Sequence, residues 1–270
     1  MAEFNKLLII GCGNMGGAML AGWLASGEDP ARFEVLDPAI PEVPPGVNLY
    51  REPPSQPGHD AVLLGFKPQQ LGAFGPGLQA LAGEGVTVFS LLAGIDLAML
   101  RQSFPSAAAH VRVMPNLAAR IGKSPVILAE AGLGSAQRDA AQAFFGKLGT
   151  AMWLDDEARF DLVTALAGSG PGFVYRFIDA LSSAAKELGI DEEMADSLAL
   201  ATVEGASSLA ASAGVPAGEL ADRVASPGGM TREGLNVLDA DNALKSLMIE
   251  TLRATAAKGS ELAGRGREQG

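Results

Sequence analysis

Six residues near the start of the chain, Gly11-Cys12-Gly13-Asn14-Met15-Gly16, follow the apolar run Leu7-Leu8-Ile9-Ile10 and open a stretch of helical character. In such a strand–turn–helix setting Gly11 permits the tight turn, Gly13 lets a phosphate approach the backbone, and Gly16 lets helix pack on strand. The helix N-terminus adds free N–H groups and a positive dipole. Pattern and setting together predict binding of a dinucleotide pyrophosphate; the other reading is a purely structural glycine turn. An acid stands at Asp37, 21 positions beyond Gly16, at the end of the next apolar run. A carboxylate there would accept hydrogen bonds from adenosine ribose hydroxyls and favour NADH over NADPH. Capping of a strand end is its alternative role.

Other groups able to do chemistry are few. Cys12 sits where a small side chain is wanted and has no base nearby in sequence, so it reads as filler. His59 falls in a Pro-rich loop and His110 in a strand, and both read as structural or solvated. A ketone reductase must protonate a developing alkoxide and usually needs a positioned Lys or His. An imine can arrive already protonated, or take its proton from a hydroxyl or water. Downstream, Val224-Ala225-Ser226-Pro227-Gly228-Gly229-Met230-Thr231-Arg232 brings two hydroxyls and several backbone N–H groups to the start of a helix. That is either a cradle for a carboxylate, by the physics of a phosphate site, or an ordinary glycine-rich helix cap. On the residues alone the cap is the simpler reading.

These residues need two kinds of architecture to position them. At roughly 150 residues per domain, 270 residues predict two domains. A 48% hydrophobic and 19% charged chain can bury a core, which excludes disorder at the scale of the whole protein. A net charge of -11 argues against a nucleic-acid or anionic-membrane partner. One Cys and two His leave no room for a disulfide framework or zinc cluster, so a cytoplasmic setting is expected. Glu3 and the glycines argue against a signal peptide, and no long apolar run points to a membrane span.

Short apolar runs at 7–10, 33–36, 61–65, 86–90 and 109–113 alternate with helical stretches at 15–25, 69–82 and 95–103. This predicts an α/β fold, a doubly wound parallel sheet of Rossmann type. A Pro-rich loop is expected over 38–57. Two more strand-like pieces, 126–128 and 151–154, flank a helix over 135–147. From 157 onward only helical segments appear: a long one to 188 broken at Gly168-Ser169-Gly170-Pro171-Gly172, one capped by Asp191, short ones near 217–224 and 231–239, and a last one over 242–263. A polar tail over 265–270 is expected to fray. Domains are therefore drawn at 1–156 and 157–270. Phe173, Val174, Phe177, Ile178 and Leu181 make one helix apolar around much of its circumference. Either a second subunit covers it or it is central to one bundle.

Six segments taken in order resemble the pyrroline-5-carboxylate reductases. They are the glycine turn at 11–16, Phe66-Lys67-Pro68-Gln69, Ala93-Gly94-Ile95, Val113-Met114-Pro115-Asn116, the run from Leu166 to Phe173, and Ser226-Pro227-Gly228-Gly229 with Thr231. The resemblance implies NAD(P)H-dependent reduction of 1-pyrroline-5-carboxylate to L-proline, the last step of proline biosynthesis. It implies an N-terminal Rossmann domain and an all-helical C-terminal dimerisation domain, with dimers or larger homo-oligomers. The cofactor, NADH or NADPH, would lie on the glycine turn with Phe66, Lys67, Pro68, Ala93, Gly94 and Asn116. Ser226, Gly229, Met230 and Thr231 of a partner subunit would hold the substrate carboxylate, and Thr231 is the candidate hydroxyl near the ring nitrogen.

The chain departs from its relatives in places. Met230 replaces the first of two threonines many carry, and Gly214 stands where an acid is frequent. Relatives using NADPH often have Ser or a basic residue where Asp37 stands. Two other functions fit the build: a hydroxyacid or ketoacid dehydrogenase, which would need a general acid such as Lys186 or Lys245, and a non-catalytic nucleotide-binding regulator.

Overall fold

The computed structural model of the protein describes residues 4–55 and 58–268. Its strands are β1 (Leu7–Ile10), β2 (Phe33–Leu36), β3 (Asn48–Tyr50), β4 (Ala61–Leu64), β5 (Thr87–Ser90), β6 (Ala109–Met114), β7 (Ser124–Ala131) and β8 (Gly149–Trp153). Helices α1 (Asn14–Ala25), α2 (Leu71–Leu78), α3 (Leu97–Ser103) and α4 (Ser135–Gly146) lie between them in the chain. All eight strands form one sheet in the order β3-β2-β1-β4-β5-β6-β7-β8. The first six positions repeat the Rossmann order, in which the order of strand addition reverses between the parallel neighbours β1 and β4.

Both faces of the sheet are covered, which is why its strands read as unbroken apolar runs. Leu7 and Ile9 pack with Trp23, Phe33, Phe89 and Phe145 on one side. Leu8 and Ile10 pack with Val62, Leu64, Val88 and Leu100 on the other. Trp23 of α1 is fully buried, its ring 4.6 Å from that of Phe144 and 5.5 Å from that of Phe33. Its indole N–H donates to the Phe144 carbonyl at 3.1 Å, so the one polar atom of the ring is satisfied inside the core.

Two expectations are corrected. The sheet is not wholly parallel: β7 runs antiparallel to β6, and β8 then runs parallel to β7. The chain between Met114 and Ser124 is too short for a crossover, which needs about a dozen residues or more, so it can only turn back. The loop over 38–57 is not strandless. Asn48–Tyr50 adds β3 in parallel to β2, a strand too short to give a pattern among its Pro and Gly neighbours. The last helix continues to Glu268, into the polar tail. Glu3, Pro57 at the loop's end and the tail's final residues 269–270 lie outside the described residues.

After the sheet come α5 (Phe160–Ala167), α6 (Gly170–Glu187), α7 (Glu192–Ser212), α8 (Ala217–Arg223), α9 (Met230–Asp239) and α10 (Ala243–Glu268). No strand appears beyond 157 among the described residues. The expected break falls between α5 and α6, with Pro171 in the first turn of α6, where its missing N–H costs nothing. As compact units the chain parts between Ser169 and Gly170. The first unit takes up the chain again from Ala254, and the second is Gly170–Arg253. Helix α5 belongs to the first. Arg112 of β6 donates to Glu157 at 2.9 Å and stacks 3.7 Å from the Phe160 ring centroid.

Within the second unit, α6 and α7 form a hairpin. Asp191 caps α7, accepting from the Met194 N–H at 3.0 Å. Ser182 donates to Asp196, which also pairs with Lys186 at 2.9 Å. Buried side chains in this unit are small, Ala195, Ala199 and Ala225 with Ser182. Val174, Phe177, Leu181, Leu198, Leu247 and Ile249 are exposed. No single helix among the described residues is long and apolar enough to cross a membrane; α7 and α8 pass by composition only as a pair bent by 115°.

Candidate functional site

The site is built on the turn that leaves β1. Gly11 has φ +85°, and a methyl group there would come within 2.7 Å of the Phe66 backbone nitrogen. A methyl on Gly65 would come within 2.4 Å of the Gly11 carbonyl oxygen. The loops after β1 and β4 therefore touch backbone to backbone, at the point where the strand order reverses. A methyl on Gly16 would sit 3.0 Å from the same Gly11 oxygen. Gly13, the N-cap of α1, is different: a methyl there would meet nothing within 4 Å. The turn is closed where chain meets chain and open where α1 begins, with the amides of the first helical turn facing that opening. The backbone thus has the room and the donors that a pyrophosphate requires.

Asp37 follows β2 at the same carboxyl edge and is buried. One carboxylate oxygen accepts from the Cys12 N–H at 2.8 Å, and the other from the N–H groups of Ala39 at 2.8 Å and Ile40 at 3.3 Å. The carboxylate thus latches the glycine turn to the β2 loop. Burial, reinforced by the Asp37 charge, pushes the Cys12 thiol up to about 11. It is a protonated, buried thiol at neutral pH, as filler should be.

The other expected cofactor residues lie at the ends of the neighbouring strands. Phe66, Lys67 and Pro68 follow β4, with the Phe66 ring 5.8 Å from that of Phe74. Ala93 and Gly94 follow β5, Gly94 at φ +76°. Asn116 follows β6, is buried, and bonds within its own unit. Its Oδ1 accepts from Ala118 and its Nδ2 donates to the Ala167 carbonyl, both at 2.9 Å. It ties the end of β6 to the end of α5.

His59 and His110 are both buried away from these loops, His59 bonding the Leu81 carbonyl at 2.8 Å and His110 that of Phe104 at 3.0 Å. Sequence reading missed Gly65 and Arg51. Gly65 is one residue before the Phe66-Lys67 segment. Arg51 follows the unrecognised β3 and donates to the carbonyls of Asp37 at 2.9 Å, Pro41 at 3.1 Å, and Ile40.

In the second unit, Ser226 to Thr231 forms a tight turn into α9. The Gly229 N–H donates to the Ser226 carbonyl at 3.0 Å, and Gly228 takes φ +72°. Gly229 is the N-cap, and a methyl there would lie 2.8 Å from the Ser226 hydroxyl. Met230 is 94% exposed, and Ser226 and Thr231 are exposed too. The two hydroxyls at this helix start thus stand on exposed residues, whereas the Gly229 N–H is spent within the turn. Lys186, offered above as a general acid, is held in its charged form by Asp196, which raises its pKa, and it also faces Glu192 at 3.5 Å.

Sheet order, glycine turn and appended helices define a Rossmann-type nucleotide-binding protein with a separate helical unit. A family model for pyrroline-5-carboxylate reductase dimerisation matches residues 157–262. The pyrroline-5-carboxylate reductase of Pseudomonas aeruginosa is 32% identical over 96% of this chain and 97% of its own. A solved structure of the Coxiella burnetii pyrroline-5-carboxylate reductase superposes with a TM-score of 0.89 at 28% identity, covering 96% of this chain and 99% of that one. A Plasmodium falciparum pyrroline carboxylate reductase with NADP bound shares the fold, with a TM-score of 0.82 at 23% identity over 97% of this chain and 100% of that chain. The chain belongs to the pyrroline-5-carboxylate reductase family.

Proposed function

We propose that this chain reduces 1-pyrroline-5-carboxylate to L-proline with NADH or NADPH. The reading is carried by family membership over nearly the whole chain, joined to a glycine turn with space only where a pyrophosphate would approach. The turn of Gly11, Cys12, Gly13, Asn14, Met15 and Gly16 would hold the pyrophosphate through the amides at the start of α1, and Asp37 the adenosine ribose. Phe66, Lys67, Pro68, Ala93, Gly94 and Asn116 would line the remainder of the cofactor site. When bound, the dihydronicotinamide supplies the hydride that adds to the imine carbon, and the cofactor leaves oxidised. The ring nitrogen gains the proton, so C=N becomes CH–NH.

The chain's own work is positioning. The hydroxyls of Ser226 and Thr231 and the amide of Met230 would clamp the substrate carboxylate, with Gly229 giving the turn its shape, and Thr231 would face the ring nitrogen. A protonated imine needs no Lys or His acid. We place the enzyme in the cytoplasm as a homodimer or larger homo-oligomer acting on a small molecule.

Absorbance of NADH and NADPH, followed with pyrroline-5-carboxylate, with a 2-ketoacid and with neither, tests this. Oxidation should occur with pyrroline-5-carboxylate alone. Asp37 beside a 2′-phosphate costs between about 1 and 4 kcal/mol at 4 Å, so NADH should be favoured, by about fivefold to several hundredfold. Oxidation only with the ketoacid, or with nothing, would overturn the reading.

A further inference from the structure

We infer that Arg51 is the cation that meets a 2′-phosphate on the adenosine ribose, and so governs how well this chain accepts NADPH. The inference rests on the cofactor reading above. Pro38 and Ala39 follow Asp37, so the residues next to it in sequence supply no positive charge. The sheet supplies one instead. β3 runs parallel to β2 with Tyr50 opposite Leu36, so the residues just past the two strands are Arg51 and Asp37, level at the carboxyl edge. The Asp37 N–H donates to the Tyr50 carbonyl at 3.1 Å, which fixes that alignment.

The guanidinium is held in place by the turn itself. One terminal nitrogen donates to the carbonyls of Asp37 at 2.9 Å and of Ile40, and the other to that of Pro41 at 3.1 Å. A guanidinium carries five N–H groups; three are spent here, which leaves two. Arg51 as a residue is exposed. A cation pinned by carbonyls in this way loses little further freedom when an anion arrives. The Asp37 carboxylate meanwhile shares its oxygens among three amide donors, which draws off part of the charge that would repel a phosphate. A ribose held by Asp37 would carry its 2′ substituent into this neighbourhood, and a phosphate there would find the Arg51 fork.

The test uses the full-length protein and binding by calorimetry, with NADH, NADPH, 5′-AMP and adenosine 2′,5′-bisphosphate as probes. Arg51→Gln should raise the ratio Kd(NADPH)/Kd(NADH) by about tenfold or more, and the ratio for the bisphosphate over 5′-AMP likewise. Arg51→Lys, which keeps the charge, should stay nearer the original ratios. Added salt should weaken NADPH more than NADH in the unmutated protein, and this difference should shrink in Arg51→Gln. Unchanged ratios would overturn the inference, whether both cofactors weaken together, as for a residue that only supports the turn, or neither does. Failure of the unmutated protein to bind either cofactor would instead overturn the cofactor reading and the inference with it.

Discussion

Ser226 and Thr231 carry no buried role that would confuse a mutational test, since both are exposed at the start of α9. Their removal should therefore act on substrate and leave the fold alone. Thr231→Ala and Ser226→Ala should each raise KM for pyrroline-5-carboxylate while NADH affinity stays nearly constant. A hydrogen bond to a charged group is worth roughly 1.5–3 kcal/mol, so each loss in kcat/KM should be about 10- to 150-fold. If Thr231 also attends the ring nitrogen, its variant should lose kcat as well, which the Ser226 variant should not. Wild-type kinetics in both would remove the cradle from the proposal.

At the scale of elements, the glycine turn separates two effects usually merged. Gly11→Ala forces a side chain onto a residue at φ +85° and against the Phe66 backbone at 2.7 Å. The left-handed conformation alone costs about 1–2 kcal/mol, so thermal unfolding should come earlier and cofactor binding should fail with it. Gly13→Ala meets open space, so its Tm should stay close to wild type while NADH binding weakens. Equal loss of Tm in both variants would contradict this division.

Strand β6 carries a pH prediction at the same scale. Burial lowers the pKa of His110 below its ordinary 6.5, against the Phe104 hydrogen bond and with help from the Arg101 charge. The unfolded chain thus takes up a proton that the fold resists. Stability from the neutral ring is intact above pH 6.5 and declines as pH falls toward and through the folded value. His110→Gln, which does not titrate, should show a shallower fall of Tm between about pH 7 and about pH 5. Identical pH profiles would exclude His110 as a contributor.

For the whole molecule, the second unit poses the question of how it is stable at all. Its buried residues are small, whereas Val174, Phe177 and Leu181 along α6 are 39–49% exposed. So much uncovered apolar surface marks an interface, in agreement with the dimerisation model that matches this region. Light scattering should give at least twice the protomer mass of 27.6 kDa at micromolar concentration. Phe177→Glu should shift the species toward monomer and lower Tm together. A monomer in the unmutated protein would refute the assignment.

Much of this molecule was legible in its amino-acid order because the deciding interactions are local. The runs at 7–10 and 33–36, the glycine turn, the Asp191 cap and the break at 168–172 each lie within one or two turns of chain, where steric and capping rules act directly. What depended on pairing between distant segments was not legible. The direction of β7 came from the short link behind β6, and β3 became a strand only because β2 was there to bond it. That same pairing carried Arg51 to Asp37, and the reversal at β1–β4 made a glycine necessary at 65. Local sequence determined which elements form, because backbone preferences act over a few residues. The tertiary structure alone decided which loops share an edge, because only the closed sheet brings their backbones into contact.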